Sequence, residues 1–229
     1  LGKNESTNTI SNKILDVIKK MSGEDVELAE LIGLLHDIGR FEQIRRFHSF
    51  EPGTMDHAMY GADILFGPEQ MIRRFVKDQS FDQLICVAIA KHSDFKLEGI
   101  EDERTLLHAR LIRDADKLDN CRVKLEESME TLLDMDEKTV GASPISPKVW
   151  ESCKAEKSVL SADRKTGMDY WMSYLALYFD INFLETYQII KEQDYIRRIA
   201  ERVPYSREDT KEKVAYTVKK LEEKMNIQP

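Results

Sequence analysis

Between residues 24 and 40 the chain places Val26, Leu28, Leu31, Ile32, Leu34, Leu35 and Ile38 so that Leu28 onwards each have another of the set three or four residues away, with acids in the first turn. Such spacing gathers side chains on one side only when the backbone is an α-helix, and Gly39 is its expected stop. Ile10, Ile14, Val17, Ile18 and Met21 repeat the period in an earlier helix that Ser22 and Gly23 break. Further helices fit 54–66, 69–77, 81–91 and 103 to about 133. In the C-terminal third, 167–187 is rich in aromatic and aliphatic residues, and 207–225 reads as a charged, solvated amphipathic helix. No stretch alternates with the period of a β-strand, and 10 Gly and 6 Pro in 229 residues leave few breakers. The expected fold class is therefore all-α.

The punctuation between these helices suggests the organisation. FEQIRRFHSFEPG, over 41–53, is aromatic and basic and ends in a Pro-Gly turn signal, so it is expected as a loop beside a site. Gly67-Pro68 and the polar run 93–102 separate later helices. Residues 134–148, DMDEKTVGASPISPK, carry Gly, Ser and two prolines and are read as a linker or lid. That divides the chain into a helical core over 1–133, the linker, and a C-terminal helical extension over 149–229 packed on the core. The stripe Tyr170, Trp171, Tyr174, Leu175, Tyr178 is read as core of the extension, with a homodimer face as the alternative.

Composition excludes several partners. A formal charge of -8 argues against a binder of duplex nucleic acid, whose phosphates are met mainly by Lys and Arg. Cys86, Cys121 and Cys153 are too widely spaced for a thiolate zinc site or a disulfide framework. No apolar run approaches the length of a membrane span, and the first residues lack the basic-then-apolar order of a signal peptide, so a cytoplasmic protein is expected.

Of five histidines, three lie in apolar helical contexts, LLHDIG, MDHAMYGAD and AIAKHSD, where a charged or unpaired imidazole is costly. His36 and Asp37 are adjacent, so on a helix their side chains diverge by about 100° and still converge on one ion. Asp116, in IRDADKLDN, follows Leu111 and Ile112 and precedes Leu118. A carboxylate in that setting wants a cation. Imidazoles and carboxylates without thiolate suit a divalent ion such as Fe, Mn, Co, Ni, Zn or Mg and do not choose among them.

The order LLHDIGR, HAMYGA, AIAKH, RDADKLD over roughly residues 6–125 resembles the HD-domain metal-dependent phosphohydrolase superfamily. The resemblance implies an HD-domain helical bundle, here with additional C-terminal helices, whose ligands project from separate helices into one cleft. It implies that His36, Asp37 and Asp116 bind a first metal and that Asp37 bridges to a second. His57 and His92 match the further histidines of two-metal members. The implied activity is hydrolysis of a small phosphate mono- or diester, with a nucleotide as leading substrate, by metal-activated water. Arg40, one turn after His36, and Lys117, beside Asp116, are placed to neutralise the phosphate, with Arg113 a weaker candidate.

One position departs from the family, which usually carries a histidine on the helix before the His-Asp pair. None precedes His36, and helical register puts the empty place near Ser6. This favours the alternative of a catalytically weak or silent nucleotide-binding regulatory protein of the same fold. Plainer readings stand beside the others. His57 could simply pack, His92 meets free carbonyls at a helix end, and Arg40 and Lys117 make ordinary salt bridges. His48 and the set Arg45, Arg46, Phe47 and Phe50 line a nucleotide pocket or belong to a solvated loop, and His108 packs.

Overall fold

The computed structural model describes residues 21–49 and 53–227, and every regular element among them is helical. The apolar series from Ile10 to Ile18, Ser6 and Phe50 lie outside the described residues. Two compact units divide the chain where Ala115 meets Asp116.

In the first unit, α1 (Gly23–Leu35) begins at Ser22, whose hydroxyl accepts from the Asp25 N–H at 3.1 Å, and acids fill its first turn. It does not run on to Gly39. The chain turns at His36 and Asp37 and resumes as α2 (Ile38–Phe47), which corrects the expected loop of 41–53 over its first part, 41–47. The reason is local: Glu42 holds Arg45 and Arg46 three and four residues on, and His48 closes the helix with a left-handed backbone at φ 49°. Basic and aromatic residues that read as a loop are an exposed helix face.

Next come α3 (His57–Phe66), a 3-10 turn at Met71–Arg74 in place of the expected helix over 69–77, and α4 (Asp82–Ala90). Leu28, Ile32 and Leu35 of α1 pack with Ala62, Leu65, Ile72, Leu84, Ile85, Ala88 and Ile89. Ala109 and Ile112, from the first half of α5 (Glu103–Glu126), complete this core.

The starts of α1 and α5 are tied by charge. Arg104 donates to Asp25 and Glu24 at 2.6 Å each, and His108 Nε2 lies 3.2 Å from Asp25. Burial pushes the Asp25 carboxyl up, but the Ser22 hydroxyl, Arg104 and His108 outweigh it and hold the group at about 2. An unfolded aspartate titrates near 3.8. The contribution is therefore complete above that value and drains away as the pH falls through 3.8 towards 2. Asp25→Asn should remove about 1–2 kcal/mol of this acid dependence, a figure reduced for solvent around a partly exposed group. Urea unfolding of both proteins at neutral and strongly acidic pH reads it, and equal slopes against pH would refute the assignment.

The second unit holds the rest of α5, then α6 (Met129–Leu133), α7 (Glu137–Ala142), α8 (Pro147–Lys154), α9 (Gly167–Ala176), α10 (Leu184–Glu192), α11 (Tyr195–Glu201) and α12 (Glu208–Ile227). Residues 134–148 thus include a short helix and the start of another. Trp171, Leu175 and Tyr178 of the aromatic stripe are buried. Asp169, fully buried, accepts from Ser146 N at 2.7 Å, Ser146 Oγ at 2.6 Å and Lys165 N at 2.9 Å, pinning the loops before α8 and α9.

Candidate metal centre

The turn between α1 and α2 sets the centre. His36 has helical dihedrals, while Asp37 sits at φ -99°, ψ 15°, the sparsely occupied bridge region. Asp37 stands at the N-cap of α2 but makes no side-chain cap bond, which leaves its carboxylate for the histidines. Two glycines bring α3 to it. A Cβ on Gly39 would lie 2.0 Å from the His57 carbonyl oxygen, and one on Gly61 would lie 3.3 Å from the Gly39 nitrogen. The glycine of HDIG and the glycine of HAMYG thus let two backbones touch, and the contact seats His57 beside Asp37. Gly39 is a contact residue, not the helix stop expected from sequence. Gly39→Ala should cost at least about 1–3 kcal/mol, the scale of overpacking, because backbone rather than a flexible side chain blocks the methyl. Denaturant unfolding measures it, and an unchanged midpoint would contradict the close approach.

Four side chains converge. Asp37 Oδ1 lies 3.3 Å from His57 Nε2 and 3.5 Å from His92 Nε2. Its other oxygen is 3.7 Å from His36 Nε2. His57 Nε2 and His92 Nε2 are 3.1 Å apart, and the His92 ring stands edge-on to the rings of His36 and His57. One ligand atom from each of His36, Asp37 and His92 fits within a mutual distance of 4.8 Å.

The rings are oriented from behind. His36 Nδ1 meets the Gly33 carbonyl at 2.8 Å, and His92 Nδ1 meets the Ile89 carbonyl at 2.7 Å. A carbonyl has no hydrogen to give, so each Nδ1 donates and each ring turns its Nε2 towards Asp37. This is the outer support that metal-ligating histidines ordinarily have. Burial pushes the His57 imidazole below its ordinary range, and Asp37 opposes this only in part. Burial alone would raise the Asp37 carboxyl. Hydrogen bonds with His57 and His92, with electrostatic help from His36 and Arg40, hold it well below the usual carboxylate range. A neutral, buried imidazole and an ionised carboxylate are the forms that ligate. Nitrogens 3.1 Å apart also match neighbouring ligands on one ion bound at about 2.1 Å.

Arg40 Nε reaches Asp37 Oδ1 at 3.3 Å, and its Nη1 donates to Gln43 Oε1 at 3.0 Å. Gln43, fully buried, donates in turn to Thr54 Oγ1 at 2.9 Å. No sequence signal marks Gln43. Arg113 is buried and donates to the carbonyls of His92 and Asp94, so it meets the His92 turn.

Asp116 and Lys117 lie on α5 past the Ala115–Asp116 division, in the second unit. There Asn120 donates to Asp116 Oδ1 at 3.3 Å, and Lys117 Nζ lies 2.8 Å from Asp180 Oδ2. Arg45 and Arg46 pair with Glu42, and Arg46 lies over the Tyr60 ring. His48 and Phe47 are exposed, and His108 is buried against Asp25.

These features define an all-α protein with a three-histidine, one-carboxylate cluster. The HD-domain family model matches residues 7–121, half of the chain, and the chain belongs to that family. HD domains bind divalent metals and are in general metal-dependent phosphohydrolases. No curated protein and no solved structure matches the chain. None of the helices among the described residues is long and apolar enough to cross a membrane.

Proposed function

We propose that the chain is a metal-dependent phosphohydrolase acting on a nucleotide or related small phosphate mono- or diester. The observation that carries this reading is the aim of the His36 and His92 rings, each fixed at Nδ1 and turned at Nε2 towards the Asp37 carboxylate. His36, Asp37, His57 and His92 would hold the divalent ion. Asp116 and Lys117 enter on the family pattern alone.

An ion bound there would supply Lewis acidity, lowering the pKa of water for attack on phosphorus and neutralising phosphoryl charge. The chain's own residues do the rest. Asp37 supplies the negative charge that retains a cation among three imidazoles. Buried His57 and His92 keep the inner side of the centre dry. Arg40, held at two of its nitrogens, presents a fixed positive charge one turn from His36, suited to a phosphoryl oxygen.

The test is elemental analysis after mild dialysis, followed by hydrolysis of generic phosphomonoesters, phosphodiesters and nucleotides with Mn, Fe, Co, Ni, Zn or Mg added in turn. Close to two ions per chain and turnover with at least one ester are expected. A stoichiometry near zero with every metal overturns the metal centre, and a value near one overturns only the two-ion version. The absence of a histidine before His36 favours a second reading, a nucleotide-binding regulatory protein that does not turn over. Bound metal and bound nucleotide without hydrolysis would select it.

A further inference from the structure

We infer that Arg113 is a positioning residue for His92, an inference that rests on the metal-centre reading above. Helix α4 ends at Ala90, and the chain leaves it through a run of tight turns, with Lys91 N–H on Val87 O at 3.0 Å, His92 N–H on Ile89 O at 3.3 Å and Asp94 N–H on Lys91 O at 3.2 Å. Carbonyls at a helix end lose their helical partners and need others. Arg113, itself 5% exposed, supplies them, since its Nη1 donates to His92 O at 3.1 Å and also to Asp94 O.

His92 is consequently held at three points. Its backbone N–H and its ring Nδ1 both donate to the Ile89 carbonyl, and its own carbonyl accepts from Arg113. The first two bonds anchor the ring to the last turn of α4 but allow that turn to rock. The third fixes the peptide plane after His92 to α5. With all three, the His92 Nε2 has one direction, towards Asp37. Arg113 is proposed to act through the His92 carbonyl that it holds.

The experiment compares wild type, Arg113→Met, Arg113→Lys and His92→Ala in the full chain. Methionine keeps the buried length and removes the donors, while lysine restores a donor without the planar fork. Binding of Mn2+ and Co2+ is titrated for each. Arg113→Met should weaken binding by about 10–100-fold, the range for losing an outer support of a ligand, with partial recovery in Arg113→Lys. In the His92→Ala background the same change should alter affinity less than about twofold, since coupled residues are non-additive.

A second readout needs no metal. NMR of the metal-free protein should show one set of His92 ring carbon-bound proton resonances in wild type and doubled or exchange-broadened ones in Arg113→Met, or in Arg113→Lys if the methionine variant does not fold. A purely structural role would lower the melting temperature while leaving the affinity of the folded protein and the His92 ring resonances as in wild type, and that result overturns the inference. If wild type itself binds neither Mn2+ nor Co2+, the metal-centre reading fails, and the His92 ring resonances alone decide Arg113.

Discussion

Asp37→Ala should abolish hydrolysis more completely than any other single change in the cluster, by at least about 10³ in rate, equivalent to about 4 kcal/mol of barrier. The geometry gives the reason. One oxygen of this carboxylate faces His57, His92 and Arg40, and the other faces His36. Removing it leaves three imidazoles and a guanidinium around a space with no negative charge, which repels a cation instead of retaining one. His57→Ala removes one neutral donor and leaves the carboxylate, so its loss should be nearer the 10–100-fold typical of a weakened ligand shell. Asp37→Asn serves as control, because it keeps shape and removes charge. Rates, metal content and far-ultraviolet circular dichroism on the same preparations decide. Asp37→Ala with a normal helical spectrum and more than about a tenth of the wild-type rate would remove Asp37 from the centre of the chemistry, since that corresponds to less than about 1.4 kcal/mol.

The four histidine and aspartate positions brought together here were legible because burial of polar groups has few cheap solutions. LLHDIG, MDHAMYGAD and AIAKH each set a histidine among apolar residues, and His57 and His92 are indeed buried. The helix periods gave the all-α class and the core faces of α1 and α4. What escaped was decided by contacts distant in sequence. Gly39 reads as a helix stop by local rules, yet its role comes from the His57 carbonyl, eighteen positions on, which no window around Gly39 contains. The segment after it read as a loop because aromatic and basic residues dominate it. As an exposed helix, α2 needs no apolar face of the usual width, and the Glu42 pairs support it locally. Gln43 sits among charged neighbours and resembles any surface glutamine until Thr54 folds back over it. The Asp180 carboxylate beside the Lys117 ammonium is likewise a partner that sequence distance hid.

Arg40→Ala should lower kcat/KM by roughly 10²–10³ while metal content stays at the wild-type value, the scale of losing one preorganised charge-stabilising donor. Arginine cannot ligate a metal, but its charge can meet charge that develops on phosphoryl oxygens. Its usefulness depends on being fixed beforehand. Here Nε is held by Asp37, Nη1 by Gln43, and Gln43 by Thr54, so the guanidinium plane is set by a chain of three side chains. Such a group need not reorganise when the reaction demands it, which is where the catalytic advantage arises. Arg40→Lys should recover only part of the loss, because a point charge lacks the planar fork and cannot keep both holds at once. The contact with Asp37 supplies the competing account, in which Arg40 merely restrains a ligand. The two accounts separate in one preparation. Slow kinetics with full metal places Arg40 on the substrate side, slow kinetics with lost metal places it in the ligand shell, and unchanged kinetics reduces it to an ordinary ion pair.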